Sequence, residues 1–243
     1  MPTLLILGAT SDIGTAIARL FAERKFAIQL ASRDTLKLLP LQADLSIRYN
    51  IHCSIHQFDA IDFTSHKPFY DALSSKPDVT VCVFGYMNEN EKVADDQDET
   101  LKTIHTNYTG AVSILNIVAK DYASQKKGSI VGISSVAGER GRQSNYIYGS
   151  AKAGFTTYLS GLRNKLHEKG VHVVTVLPGF VYTKMTEHLN LPKLLTAQPN
   201  DVAKSIYNAV QKKKNIIYVK WFWRWIMCVI RLIPEPIFKK MKL

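Results

Sequence analysis

Seven short apolar runs alternate with stretches of helical pattern, and that alternation narrows the possible folds more than any other feature of the chain. The runs are Thr3–Leu7, 27–31, 51–58, 79–84, Ser129–Ile133, 171–177 and 215–219. Residues 79–84, Val-Thr-Val-Cys-Val-Phe, show no in-and-out alternation, as expected of a strand covered on both faces. Helical patterns intervene at 36–50, near 69–73, over a long stretch at 95–122, after Tyr148, and at 202–210 with Asp201 as its N-cap. Strand and helix in strict turn predict a single α/β domain built on a doubly wound parallel sheet with right-handed crossovers.

The first crossover carries a chemical signal. Thr3–Leu7 leads into Gly8-Ala-Thr-Ser11-Asp12-Ile13-Gly14 and then into a helix with Ala16, Ile17, Leu20 and Phe21 on one side. A glycine turn between a strand and a helix start offers backbone amides to a phosphate, although the same turn can merely join two packed elements. The second strand ends in Ser32-Arg33, where an arginine can pair with a ribose 2′-phosphate; Asp34 next to it can compete for the ribose. NADP(H) is therefore expected over NAD(H).

Residues 132–152 hold the candidate chemistry. Tyr148 and Lys152 are four apart and share one helical face, so an ammonium beside the phenol would bring its pKa toward the working range of a general acid or base. Taken alone, the pair also suits a solvated lysine near a core tyrosine. Ser135 stands at the end of the apolar run Ser129–Ile133, where an open α/β sheet puts its site. Asn107 is a polar residue inside the long helix, either solvated or bonded internally.

With these motifs in order, the chain resembles the short-chain dehydrogenase/reductase family over residues 3–219. The glycine turn, Asp59-Ala60, Asn107, the Ser135/Tyr148/Lys152 set and Pro178-Gly179 fall in the family's order and spacing. The resemblance implies a Rossmann-type fold and interconversion of a ketone and a secondary alcohol. By this likeness Tyr148 exchanges the proton, Ser135 bonds the reacting oxygen, Lys152 lowers the tyrosine pKa and binds the nicotinamide ribose, and Asn107 holds a relay water. It further implies that Gly8, Ser11 and Ile13 line the pyrophosphate, Asp59 and Ala60 the adenine, and Val181 and Thr183, just past Pro178 and Gly179, the nicotinamide amide. Two positions depart from the family: Asp12 replaces the middle glycine, its carboxylate expected on the helix amides, and Val83-Phe84-Gly85-Tyr86 replaces the usual Asn-Asn-Ala-Gly, keeping only Gly85 for a close backbone approach. The loop with Arg140 and Arg142 and the tail are similar to the subgroup that reduces a 2-keto-pentose on a polyprenyl phosphate in cell-envelope synthesis. That likeness makes the two arginines candidates for a substrate phosphate, or else they are solvated loop residues. A homodimer or homotetramer through the helices around Asn107 and after Tyr148 is also implied.

Charge is concentrated at the C-terminus. Residues 212–243 hold nine lysines and arginines against one acid, Glu235, which leaves only +3 of the chain's +11 for the 211 residues before them. Within this segment, residues 220–233 carry three tryptophans with Lys220, Arg224 and Arg231, and end at Pro234. Fourteen residues are too few to span a bilayer, which needs about 20. The composition suits a helix lying on an anionic membrane surface, or one packed on the sheet or on another subunit; nucleic acid fits poorly. We therefore expect residues 1–219 to form the catalytic domain and 220–243 a basic, Trp-rich appendage. Residues 184–200, with two prolines, read as a lid or a passive connector. Cys53, Cys82 and Cys228 are too scattered for a disulfide framework or a metal site, and Met1-Pro2 runs into a strand without a signal-peptide pattern. A reducing, cytoplasmic setting is expected, with peripheral attachment to the membrane. Two other readings fit the motifs less fully: a reductase of free or acyl-chain ketones that uses the tail as lid or dimer contact, and a nucleotide sensor without chemistry.

Overall fold

A computed structural model, describing residues 1–187 and 192–241, places each apolar run in one seven-stranded sheet. The strands are β1 (Thr3–Leu7), β2 (Ala27–Ser32), β3 (Cys53–Gln57), β4 (Val79–Cys82), β5 (Ser129–Ile133), β6 (His172–Pro178) and β7 (Ile216–Val219). They lie in the order β3-β2-β1-β4-β5-β6-β7 with every neighbour parallel. Chain direction across the sheet reverses between β1 and β4, the point at which such sheets open a crevice at their carboxyl ends.

Helices cover both faces: α1 (Asp12–Glu23), α2 (Leu39–Tyr49), α3 (His66–Asp71), α4 (Asn90–Asp95), α5 (Gln97–Ile104), α6 (Gly110–Gln125), α7 (Tyr146–Leu166), α8 (Pro199–Gln211), α9 (Phe222–Leu232) and α10 (Glu235–Phe238). Alternate residues of β1 feed the two cores. Leu4 and Ile6 pack with Ile17 and Phe21 of α1 and Val202 and Ile206 of α8, while Leu5 and Leu7 face Ile114 and Val118 of α6 and Phe155 and Leu159 of α7. No helix among the described residues is long and apolar enough to cross a membrane.

Two local expectations need correction. The helix expected over 95–122 is interrupted: Asp96 is extended, and its carboxylate caps α5 by accepting from the amides of Asp98 and Glu99. A π-turn, His105–Thr109, then separates α5 from α6, and Asn107 lies within it. Such bulges widen the helix locally and commonly sit at functional sites. Asp201 is not the N-cap of α8 but its third residue; Pro199 starts the helix earlier, and Asp201 reaches back 3.0 Å to the amide of Gln198 in a capping box.

The tail packs on the domain by one face only. Trp223 and Met227 are buried with Val136 and Leu177, and Trp223 Nε1 donates to the Leu195 carbonyl at 3.2 Å. That bond and the pairing of Val181 with Ala197 pin the far end of the expected lid; residues 188–191 of that segment lie outside the described residues, as do Lys242 and Leu243. Arg140 is neither solvated nor free for a substrate phosphate. Its guanidinium caps α9, donating to the carbonyls of Ile230, Arg231 and Ile233 and to Glu235.

Candidate active site

The carboxyl ends of β1, β2, β4, β5 and β6 border one cavity of about 670 Å³. Gly8, Ser11, Asp12, Ile13, Ser32, Arg33, Asp59, Ala60, Gly85, Ser135, Tyr148, Lys152, Pro178, Gly179, Val181 and Thr183 all line it. Residues up to 175 positions apart in sequence thus meet around a single space. Asn107 is the exception, standing behind the wall.

At the phosphate end, Gly8 takes φ +96°, and a Cβ there would come within 2.6–2.8 Å of Phe84, so only glycine brings the turn this close to the chain after β4. Ser11 is the true cap of α1, its hydroxyl accepting the Gly14 amide at 3.0 Å. The amides of Asp12 and Ile13 have no acceptor among the described residues, and they border the cavity as an anion site at a helix start should. The Asp12 carboxylate does not serve the helix amides, as expected from sequence, but accepts the Lys184 amide at 2.8 Å. It ties the first crossover to the segment after β6. Arg33 is exposed and pairs with no carboxylate among the described residues, whereas Asp34 is held by Lys37 at 3.2 Å and by the Leu36 amide. Near the expected adenine site, buried His66 bonds the Asp59 carbonyl at 2.9 Å and fixes that loop.

At the catalytic end, Ser134 couples β5 to α7 by bonding the Lys152 carbonyl at 2.9 Å and the Thr156 hydroxyl at 2.7 Å. This clamp sets Ser135 opposite the first turns of α7, where Tyr148 and Lys152 project together. The Lys152 ammonium donates to the Ile133 carbonyl at 3.1 Å and lies 5.7 Å from the Tyr148 ring centre. Burial governs both groups. It pushes the phenol up to about 12, against a lowering hydrogen bond from Ser135, and the lysine down to about 8. The direction for Tyr148 is thus opposite to the lowering by Lys152 that their spacing suggests.

Asn107 works through the neighbouring backbone. Its side chain donates to the carbonyls of Tyr86 (2.6 Å) and Thr103 (2.9 Å) and accepts the Tyr86 amide at 3.2 Å. A Cβ on Gly85 would lie 3.1 Å from Asn107 Oδ1 and 3.6 Å from Lys152 Nζ, so the π-turn, the Gly85-Tyr86 segment and Lys152 converge. The replacement after β4 is therefore anchored from α5–α6 in place of the side chains the family usually has there.

Several lining residues were not singled out from sequence, among them Tyr86, Lys102, Thr106, Asn145, Phe180 and Met185. Asn145 offered a weak signal as a polar residue just before the Tyr148 helix; Lys102 lies in α5 and Thr106 in the π-turn, and Phe180 and Met185 come from loops without a motif. Met185, Phe180, Val136 and Met87 make the wall near Tyr148 largely apolar.

Comparison with known proteins agrees with this geometry. The short chain dehydrogenase family profile matches residues 2–193. An uncharacterized oxidoreductase of Mycobacterium tuberculosis is 33% identical over 241 residues, covering 98% of this chain and 96% of the relative. Among solved structures, an alcohol dehydrogenase of Comamonas testosteroni specific for bulky-bulky ketones superimposes with a TM-score of 0.83 at 24% identity, covering 99% of this chain and 95% of its own. A short-chain dehydrogenase of Sphingobium yanoikuyae in complex with NADPH gives 0.81 at 22% identity, with 99% and 96% coverage. At these identities the two structures support the fold.

Proposed function

Since this chain belongs to the short-chain dehydrogenase/reductase family, we propose that it is an NADP(H)-dependent oxidoreductase that reduces a bulky, amphipathic ketone to a secondary alcohol. The observation that carries this reading is the meeting of Ser135, Tyr148 and Lys152 with the Gly8–Ile13 turn around one cavity. The cofactor, when bound, supplies the hydride. The chain handles the oxygen and its proton: Ser135 and Tyr148 bond the carbonyl oxygen, and the neutral phenol gives up its proton there as negative charge develops. Lys152, charged below about pH 8, stabilises the phenolate left behind. Asn107 keeps Gly85-Tyr86 in place and would hold a relay water toward Lys152. Consumption of NADPH that depends on added ketone tests the reading directly.

Arg33 supports NADP(H) over NAD(H), since it borders the cavity unpaired while Asp34 is turned to Lys37. Arg33→Ala should weaken NADPH binding about tenfold or more and change NADH binding little. Equal losses for both nucleotides in a fluorescence titration would withdraw the 2′-phosphate assignment.

The substrate's amphipathic character rests on the apolar wall near Tyr148 and on the tail. Trp221, Trp225, Val229 and Leu232 are 62–75% exposed and, at helical spacing, form one outward stripe flanked by Lys220, Arg224 and Arg231. The opposite face of α9 packs on Val136, Leu177 and Gly179, beside the cavity. Such a helix suits an anionic membrane surface on the inner, cytoplasmic side, and a lipid-linked sugar of envelope or polysaccharide synthesis suits an enzyme held there. Docking by this stripe leaves the helices around Asn107 and α7 free for a homodimer or homotetramer. In flotation assays the full chain should rise with vesicles containing phosphatidylglycerol, and a Trp221→Glu/Trp225→Glu variant should not. Equal recovery of the two would remove the membrane assignment without disturbing the packed face of the tail.

A further inference from the structure

Arg142 lines the cavity and has no carboxylate partner among the described residues. It stands in the loop before α7, in contact with Met227 of α9, and lines the cavity together with Tyr148. Its only hydrogen-bond acceptor among the described residues is the Met227 sulfur, 3.2 Å from Nη2, and its Nε is buried without a partner. Glu139, three residues earlier, makes no ion pair with it; that carboxylate takes the Tyr218 hydroxyl at 2.7 Å and lies 3.7 Å from Arg231. Arg140, two residues away, shows the contrast, since its hydrogen bonds all go to carbonyls or a carboxylate and its guanidinium lies over the Phe238 ring.

A guanidinium has five donors and no acceptor, and a thioether is a weak partner for it. Partial burial without an anion is costly, and burial indeed lowers the pKa of Arg142, with Glu139 only partly opposing. The phosphate-binding start of α1 belongs to the other end of the cavity, so the cofactor does not supply the missing acceptor.

Resting on the reductase reading above, we propose that Arg142 receives an anionic group of the substrate, a carboxylate or a phosphate ester, held apart from the reacting ketone. The planar fork pairs with either group through two parallel hydrogen bonds. Arg142 is thereby a specificity determinant that selects anionic ketones and sets their direction of entry, with the ketone toward Tyr148 and the charge toward α9.

The test is binding to the full chain saturated with NADP⁺, followed by tryptophan fluorescence. The probes are 4-acetylbenzoate, 4-acetylphenyl phosphate and the neutral methyl ester of 4-acetylbenzoate. At least one anion should bind about tenfold or more tightly than the ester, and the preferred anion tells carboxylate from phosphate. Arg142→Gln should bring that anion down to the ester's affinity with the ester unchanged, and Arg142→Lys should keep part of the preference. Equal affinities in the unaltered chain, no measurable binding of either anion, or a preference that survives Arg142→Gln would overturn the assignment. Turnover is read separately. Anion preference without ketone-dependent NADPH consumption would refute the reductase reading and keep the anion site, whereas reduction of the ester and both anions with equal KM would do the reverse.

Discussion

Tyr148→Phe is expected to lower ketone turnover by at least about a hundredfold while leaving NADPH affinity nearly unchanged, since a positioned general acid contributes about 10²–10⁴. The substitution deletes one oxygen and keeps the ring that α7 holds against the cavity. No other described side chain on that wall combines a neutral, transferable proton with a place beside Ser135: Lys152 is turned onto the Ile133 carbonyl, and the Ser134 hydroxyl is spent on Lys152 and Thr156. Steady-state kinetics together with a nucleotide titration separate the outcomes. Loss of kcat with intact binding fits proton donation by Tyr148, and retained turnover would mean that another group supplies the proton.

Gly179→Ala is expected to destabilise the chain by about 1–3 kcal/mol and to loosen the tail from the active site, the range typical of overpacking a filled core. A Cβ at this position would stand 1.9 Å from the Trp223 ring, which is itself 3% exposed and packed edge-on against Phe180 at 5.4 Å. Neither partner can yield easily, because Gly179 directly follows β6 and Trp223 is also tied to Leu195. The indole must therefore leave its seat, taking the contact between Met227 and Arg142 with it. Thermal unfolding should show the loss, and tryptophan emission should shift to the red as Trp223 meets water. An unchanged melting temperature with unchanged emission would show that the tail is not the closely packed wall described here.

The parts of this architecture that were legible in sequence are those written locally. Residues 79–84 declare a buried strand because every side chain in the run is compatible with burial, and Gly8 to Gly14 declares a phosphate turn because strand, glycine and helix follow one another within a dozen residues. Ser135, Tyr148 and Lys152 could be placed together because β5, one loop and the start of α7 are contiguous. The break at Asp96 was legible in principle, since Asp96 and Glu99 stand three apart as at a helix start, but the acidic run around them reads equally well as a solvated helical face. What could not be read are contacts between distant segments: Asp12 with Lys184, Arg140 with the end of α9, and Trp223 with Gly179. Each depends on where the sheet puts two loops, not on either loop's own pattern. For the same reason the two arginines of one loop looked equivalent, although the tail absorbs Arg140 and leaves Arg142 to the cavity. The pKa of Tyr148 differs from expectation on similar grounds, because spacing reveals a neighbouring lysine and only the packed structure reveals how dry the pair is.

Nicotinamide fluorescence of the purified chain with NADPH, before and after addition of a bulky aryl ketone, tests the central claim most directly. The account predicts enhanced emission when NADPH binds, a weaker effect with NADH, and decay of the signal on adding ketone with formation of an equal amount of alcohol. Failure to bind either nucleotide would contradict it, and binding with no decay for any ketone would contradict it in favour of a nucleotide-sensing role for the fold.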